Sequence, residues 1–323
     1  ARGITVTSNS GTMTFSRDNG VTWSSSVVLD GSKQTNILVV DTTANTATVT
    51  GIATAMTSGT STVYVNNAPA DHLVISPLSS TTQAGVPYPI TVQAKDINGN
   101  NAFSSALVNI TRPILNTTME FSENLSVWAS SLATNLKSGA AYLYYRDTKK
   151  DTGITITAQA SGMGSGTAYA NITANDPYLL EGWANKYTVV VTGNRAVTVT
   201  AKVTDYYGNP VANKWVGFIP YAQSGTSTVN PTSGYTDANG LLNTWFTASN
   251  QAGWNYVGIT STALQGVTLA ITGTNGNANA INILPRPMSL GAMKSGLINI
   301  NGWRTADALN AAYPSGHENI YVS

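Results

Sequence analysis

Val197-Thr198-Val199-Thr200-Ala201-Lys202-Val203 alternates apolar and polar residues, and it leads within two residues into Asp205-Tyr206-Tyr207-Gly208-Asn209-Pro210-Val211. Side chains of a strand point to opposite faces in turn, so a period of two spells a strand with one buried face. Asp and Asn cap their own backbone and Gly accepts positive φ, so Asp-x-x-Gly-Asn spells a tight turn into the next strand. The same two-residue period returns in Thr46-Ala47-Thr48-Val49-Thr50 and in Gly153-Ile154-Thr155-Ile156-Thr157. Val, Ile, Thr and Tyr dominate these runs, and Gly, Asn, Asp and Ser separate them. Many short antiparallel strands are therefore predicted, packed as a sandwich or barrel.

Internal similarity divides the chain. Thr12-Met13-Thr14-Phe15-Ser16 returns as Thr118-Met119-Glu120-Phe121-Ser122, and Trp23-Ser24-Ser25-Ser26 returns as Trp128-Ala129-Ser130-Ser131. Asn36-Ile37-Leu38-Val39-Val40-Asp41-Thr42 matches the run Ala141-Tyr142-Leu143-Tyr144-Tyr145-Arg146-Asp147-Thr148 with one shift, and residues 58–65 match 163–170. A third, more distant copy is marked by Ala94-Lys95-Asp96-Ile97-Asn98-Gly99-Asn100 and its counterpart ending in Asp205-Tyr206-Tyr207-Gly208-Asn209. The divisions read from these repeats are 1–70, 71–178, 179–275 and a tail, 276–323.

After the opening strand and turn, the third domain continues through Ser233-Gly234-Tyr235-Thr236-Asp237-Ala238-Asn239-Gly240 to Gly253-Trp254-Asn255-Tyr256-Val257. That order resembles the invasin/intimin-type bacterial immunoglobulin-like domain, with its Asp-x-x-Gly-Asn-Pro-Val turn, its Thr-Asp-x-x-Gly turn and an aromatic-rich loop before a closing strand. The likeness is clearest over residues 187–262; the middle domain matches more loosely, through Ala84-Gly85-Val86-Pro87-Tyr88. The resemblance implies strings of all-β sandwiches on a prokaryotic cell surface, and it implies no catalytic residues. The expected fold is a tandem of immunoglobulin-like β-sandwiches with a short irregular tail.

Composition bounds the function. The 323 residues carry 10% charged side chains and a net charge of +1, against roughly 25% charged residues in ordinary soluble domains. Nothing draws such a chain to nucleic acid or anionic lipid. Without cysteine there is no disulfide framework or thiolate metal site, and only His72 and His317 could supply imidazole. No run reaches the ~18 apolar residues of a membrane-spanning helix. The chain opens on Ala1, so it reads as a processed form or a fragment of a secreted, cell-surface protein.

The repeats are unequal. The middle domain has about 35 residues, from His72, ahead of the strand Leu107-Val108-Asn109-Ile110-Thr111. The equivalent strand of the first domain, Gly3-Ile4-Thr5-Val6-Thr7, stands at the chain start. The first domain is therefore expected to lack two opening strands and to present an acceptor edge at Ile4 and Val6. Two tail segments have the alternation of a donor strand, one with Ile281 and Ile283, the other with Leu297, Ile298 and Ile300. Head-to-tail donation between copies predicts a homopolymeric filament. The alternatives are loss of residues ahead of Ala1 and a tail that folds back within its own chain.

Other motifs have structural explanations. Ser16-Arg17-Asp18-Asn19-Gly20-Val21-Thr22-Trp23 fits the Asp-box hairpin of sialidase-type propellers, which is not catalytic even there, and its counterpart at 122–128 has lost Asp and Gly. Asp96-Ile97-Asn98-Gly99-Asn100 mimics the start of a calcium loop, but Leu107 and Asn101 stand where an EF-hand needs Glu and Gly. Calcium at a domain junction, near Asp71 or Asp176, is the one cofactor left open. Sequons at Asn109, Asn116, Asn124 and Asn171 all fall in the middle domain and predict N-linked glycans, which would favour an archaeal source; alternation turns Asn109 and Asn171 to solvent, with Val108 and Ile110 inward. Trp23, Trp128 and Trp245 read as core, whereas Trp183 and Trp254 read as exposed or interdomain. A small helix is predicted over residues 305–312, with Thr305 as N-cap and Pro314 as stop. No paired carboxylates, Ser–His–Asp set or phosphate loop appears, so no enzyme is expected. The functions left are a self-assembling filament subunit, a surface-layer lattice protein, an adhesin stalk, or an accessory module of a secreted enzyme.

Overall fold

The computed structural model describes residues 3–30, 36–276, 280–281 and 305–306. Their regular structure is all strand, in two compact units, Ala1–Thr173 and Ala174–Ser323. No helix among them is long and apolar enough to cross a membrane.

The first unit opens with β1 (Gly3–Ser8), β2 (Thr14–Ser16), β3 (Ser26–Asp30), β4 (Leu38–Val40), β5 (Thr46–Ile52) and β6 (Gly59–Tyr64). They form a four-stranded sheet, β3-β1-β5-β6, over a two-stranded one, β2-β4. The same unit continues with β7 (Ala70–Ser76), β8 (Ser79–Gln83), β9 (Tyr88–Asp96), β10 (Leu107–Thr111), β11 (Glu120–Ser122), β12 (Ser131–Asn135), β13 (Ala140–Arg146), β14 (Asp151–Gln159) and β15 (Gly166–Thr173). These make a sandwich of sheets β12-β10-β14-β15-β8 and β11-β13-β9-β7, in which β8 lies parallel to β15.

The second unit contains β16 (Pro177–Ala184), β17 (Thr188–Val190), β18 (Ala196–Asp205), β19 (Trp215–Ala222), β20 (Thr228–Asn230), β21 (Ser233–Tyr235), β22 (Leu241–Thr247), β23 (Gly253–Thr260) and β24 (Val267–Thr274). Its sheets run β16-β18-β22-β20 and β17-β24-β23-β19-β21, again with one parallel pair, β17 with β24. Strand for strand this is the topology of β7 to β15, so the copy that diverges most in sequence has the same fold. Pro177 and Tyr178, assigned by sequence to the second domain, belong to this third sandwich.

Alternation builds the cores. On β18, Val197, Val199, Ala201 and Val203 are buried, as the two-residue period requires. On β9, Ile90, Val92 and Ala94 do the same for the second sandwich. Gly240 closes the Thr-Asp-x-x-Gly turn at φ +72°, and a Cβ there would stand 2.4 Å from the carbonyl oxygen of Val203. Only glycine fits that approach.

Three expectations are corrected. Among the described residues the first sandwich has no equivalents of β7, β8 and β9, three strands where two were expected: β1 to β6 match β10 to β15 in order and pairing. Ile4 and Val6 do not form an edge, because β1 pairs with β3 on one side and β5 on the other. In the tail, β25 (Ala280–Ile281) pairs antiparallel with β26 (Thr305–Ala306) as a separate two-stranded sheet, so Thr305 and Ala306 are strand and do not begin a helix. The rest of that helix, residues 307–312, and the donor candidates Ile283, Leu297, Ile298 and Ile300 lie outside the described residues.

Candidate functional site

The second sandwich shows what the first one leaves open. Tyr145 on β13 is fully buried, its ring 5.7 Å from that of Tyr88 on β9 and its hydroxyl 2.7 Å from Ser80 Oγ on β8. Burial pushes its phenol pKa up, against the hydrogen bond to Ser80. Pairing register equates Tyr145 with Val39 on β4, opposite Phe121 and Phe15 respectively. Val39 is 42% exposed, and Leu38 and Val40 are exposed beside it. β13 has β9 along its second side, from Ala140↔Gln93 to Tyr145↔Tyr88, whereas among the described residues β4 pairs only with β2.

A second bare edge is β6. Its counterpart β15 takes β8 in parallel from Tyr169↔Ser79 to Thr173↔Gln83; among the described residues β6 pairs only with β5, and nearly every residue along it is exposed. The core records the difference. Twenty buried apolar residues form the core cluster of the second sandwich, and four, Val6, Met13, Phe15 and Ala47, that of the first. Ile4 and Val49 are half-buried where their counterparts Val108 and Ile156 are buried completely. Apolar residues flanked by unpaired backbone donors and acceptors are a site for strand addition. The candidate acceptor edges are therefore β4 and β6, and Ile4 and Val6 contribute to the core behind them.

The turns that end β9 and β18 are matching clamps. Asp96 Oδ1 accepts the N–H groups of Asn98 and Asn100, each at 2.9 Å, and its Oδ2 accepts the Asn100 amide at 2.9 Å and the Ala68 N–H at 3.1 Å. Asp205 accepts the Tyr207 and Asn209 N–H groups at 2.9 and 2.8 Å, the Asn209 amide at 2.9 Å and the Asn175 N–H at 2.8 Å. Each carboxylate thus holds its own turn and the segment that leads into its own sandwich. Asn100 also joins the first two sandwiches, donating to Thr42 O and accepting from Ala44 N–H. The Asn100 side chain, then the N–H groups of Asn100, Ala68 and Asn98, hold the Asp96 carboxyl below the usual range, against its burial. A carboxylate filled with N–H donors is a turn clamp and not a calcium ligand. Asp71 bonds the His72 ring at 2.9 Å. Among the described residues no three His, Cys, Asp or Glu side chains converge on a metal-sized site.

The Asp-box is a hairpin. Asp18 accepts the Ser16 hydroxyl at 2.7 Å, the Thr22 N–H at 2.8 Å and the Thr22 hydroxyl at 2.5 Å, and the Thr22 hydroxyl is the largest cause of its lowered pKa. Its counterpart keeps the turn without Asp and Gly: Asn124 accepts from Ser126 and Val127 N–H groups, and Leu125 takes a φ of 64°.

Asn109 is exposed on β10 and Asn171 half-buried on β15, with Val108, Ile110 and Ile172 buried beside them. Asn124 is exposed in its loop. Asn116 is committed elsewhere: its amide donates to Asp147 at 2.6 Å and its carbonyl accepts the Thr118 and Met119 N–H groups. A glycan there would replace one of the two amide hydrogens beside Asp147. Trp245, expected inward, is 69% exposed, because its neighbour Phe246 takes the core position. Trp23 is 43% exposed and Trp128 half-buried, so neither is core; the Arg146 guanidinium lies 4.2 Å above the Trp128 ring. Trp183 and Trp254 are exposed as expected. Trp254 stacks on Tyr256 with centroids 6.5 Å apart, and Tyr256 meets Tyr221 in a tilted pair at 5.9 Å, making an aromatic ladder across β23 and β19. Sequence alone did not point to this ladder, whose members come from two strands.

Fold and turns define a tandem array of immunoglobulin-like sandwiches, one of them short of three strands. Among solved structures the chain is similar to invasin, a bacterial integrin-binding protein, with 13% identity over 85% of this chain and 53% of that one and a TM-score of 0.42. It is similar to the Escherichia coli adhesin FdeC, with 19% identity over 83% of this chain and 85% of that one and a TM-score of 0.42. The D00-D0 domain of intimin matches at 16% identity over 63% of this chain and 100% of that one, with a TM-score of 0.36. No family model matches the chain, and no curated protein matches it.

Proposed function

We propose that this chain is an extracellular, non-catalytic structural subunit of a cell-surface filament, in which a strand from one copy completes the first sandwich of the next. The observation that carries this reading is the pair of bare edges, β4 and β6, over a core that β7, β8 and β9 cover in the second sandwich. One donor and one acceptor on each copy give a linear polymer. The joint is a row of backbone hydrogen bonds with buried alternate side chains, which come apart together and so slowly. The charge-poor surface fits packing beside like copies, and glycans at Asn109, Asn124 and Asn171 would keep it hydrated.

A second reading, an adhesin stalk, is favoured by exposed Trp254 and Tyr221 on either side of half-buried Tyr256, since aromatic faces in a row suit sugar faces or an apolar partner. Electron microscopy of the purified protein, with its intact mass, separates the readings. Ordered filaments support the subunit, and sheets redirect it to a surface-layer lattice. Dispersed monomers that bind glycan or protein leave the stalk.

A further inference from the structure

We infer that the tail carries all three opening strands of a sandwich, and that the tail of one copy and the first sandwich of another make a single nine-stranded domain, split three to six. This rests on the assembly reading above and names the occupant of both bare edges.

The missing strands have defined places. A β9-like strand belongs along β4, a β7-like strand beside it, and a β8-like strand parallel to β6, as in the second sandwich. The tail repeats the spacing of those strands. β25 follows the end of β24 at Thr274 by the same interval that separates β7 from the end of β6 at Tyr64. The pair Ala280↔Ala306 is antiparallel, with the same sequence separation as Ala70↔Asp96, the pair that joins β7 to β9. β25 and β26 thus stand to each other as first and third opening strands.

Sequence and length agree. Ile281-Asn282-Ile283-Leu284-Pro285 has the apolar alternation and closing proline of Leu73-Val74-Ile75-Ser76-Pro77, two residues earlier than the register of Ala280 with Ala70, a shift of one full strand period that keeps the same face inward. β7 through β9 occupy residues 70–96, a shorter span than 277–323, so the tail has chain enough for all three. A two-stranded ribbon with apolar residues is marginal by itself in water, and what its pattern lacks, the six closing strands, is what the first sandwich has.

The test moves the tail. A permuted chain with residues 277–323 placed ahead of Ala1 through a flexible linker, and removed from the other end, is expected to be a monomer with three complete sandwiches. Its β4 and β6 amides should exchange hydrogen on the order of 100-fold more slowly than those of a chain ending at 276. Should the permuted chain fail to fold, the isolated 277–323 peptide is added to the chain ending at 276, where one-to-one binding with the same protection is expected.

Filaments that persist after deletion of 277–323, or a folded permuted chain that still polymerises, would overturn the inference and leave the assembly reading standing. An intact chain that stays monomeric, with β4 and β6 protected only while its own tail is present, would overturn donation between copies. A monomer with both edges unprotected and no binding of the peptide would overturn both. Residues ahead of Ala1 in a longer precursor that protect β4 and β6 in cis would place the missing strands there and overturn the inference.

Discussion

Asp96 and Asp205 end equivalent strands, and each holds four N–H donors with one short side chain. Asp205→Ala leaves several buried donors without an acceptor, a loss of roughly 2–4 kcal/mol. Urea unfolding followed by tryptophan fluorescence should register it in the third sandwich, which carries Trp183, Trp215, Trp245 and Trp254. Asp96 adds a pH dependence. Its folded pKa lies below the ordinary value of 3.8, so its stabilisation is present above that value and is lost as pH falls through the folded pKa. Thermal melts from about pH 6 to about pH 2 should show Asp96→Asn less stable than the parent at the upper end, with the gap closing below about pH 4. An undiminished gap at the lowest pH would mean that the Asp96 charge is not what holds the turn. These turns were legible in the sequence, because Asp-x-x-Gly-Asn satisfies itself within five residues. The phase of Trp245-Phe246 was not: two adjacent aromatics fit either alternation, and the core they pack against comes from distant strands.

At the scale of the strand, exposure on β4 is the signature of an incomplete sheet. Val39 occupies the position that Tyr145 fills beside β9, where its hydroxyl reaches Ser80 on β8. A lysine at Val39 should keep the β-sheet circular dichroism of the chain and abolish filament growth, because a charged side chain on a bare edge blocks strand addition. Sedimentation of Val39→Lys against the parent measures this, and equal polymer yields would remove β4 from the interface. The same contrast predicts hydrogen exchange in the unassembled protein: amides of β6 should exchange faster than those of β15, which is held on both sides. That the first sandwich was short of strands could be read from the repeats. The number missing and the edges exposed could not, since β8 leaves the sheet of its neighbours β7 and β9 and joins β15 instead.

For the whole molecule, three separate cores imply more than one unfolding event. The second and third sandwiches each bury a full set of apolar residues, and the first buries four. Calorimetry of the chain ending at 276 should resolve an early, small transition for the first sandwich and larger, later ones for the complete domains, a departure from two-state behaviour. A single cooperative transition would show that the first sandwich draws its stability from its neighbour through contacts such as Asn100 with Thr42 and Ala44.

Short-range chemistry is written along this chain. Strand period, turn residues, the hairpin at Asp18 and the kinship of the repeats all rest on residues a few positions apart, where local sterics and hydrogen bonding leave little choice. The assignment of strands to sheets, the central place of β1, the open side of β4 and the outward turn of Trp245 rest on partners tens of residues away. A strand's alternation says that it has a buried face; which strand lies beside it, and whether any does, depends on how the whole sandwich closes.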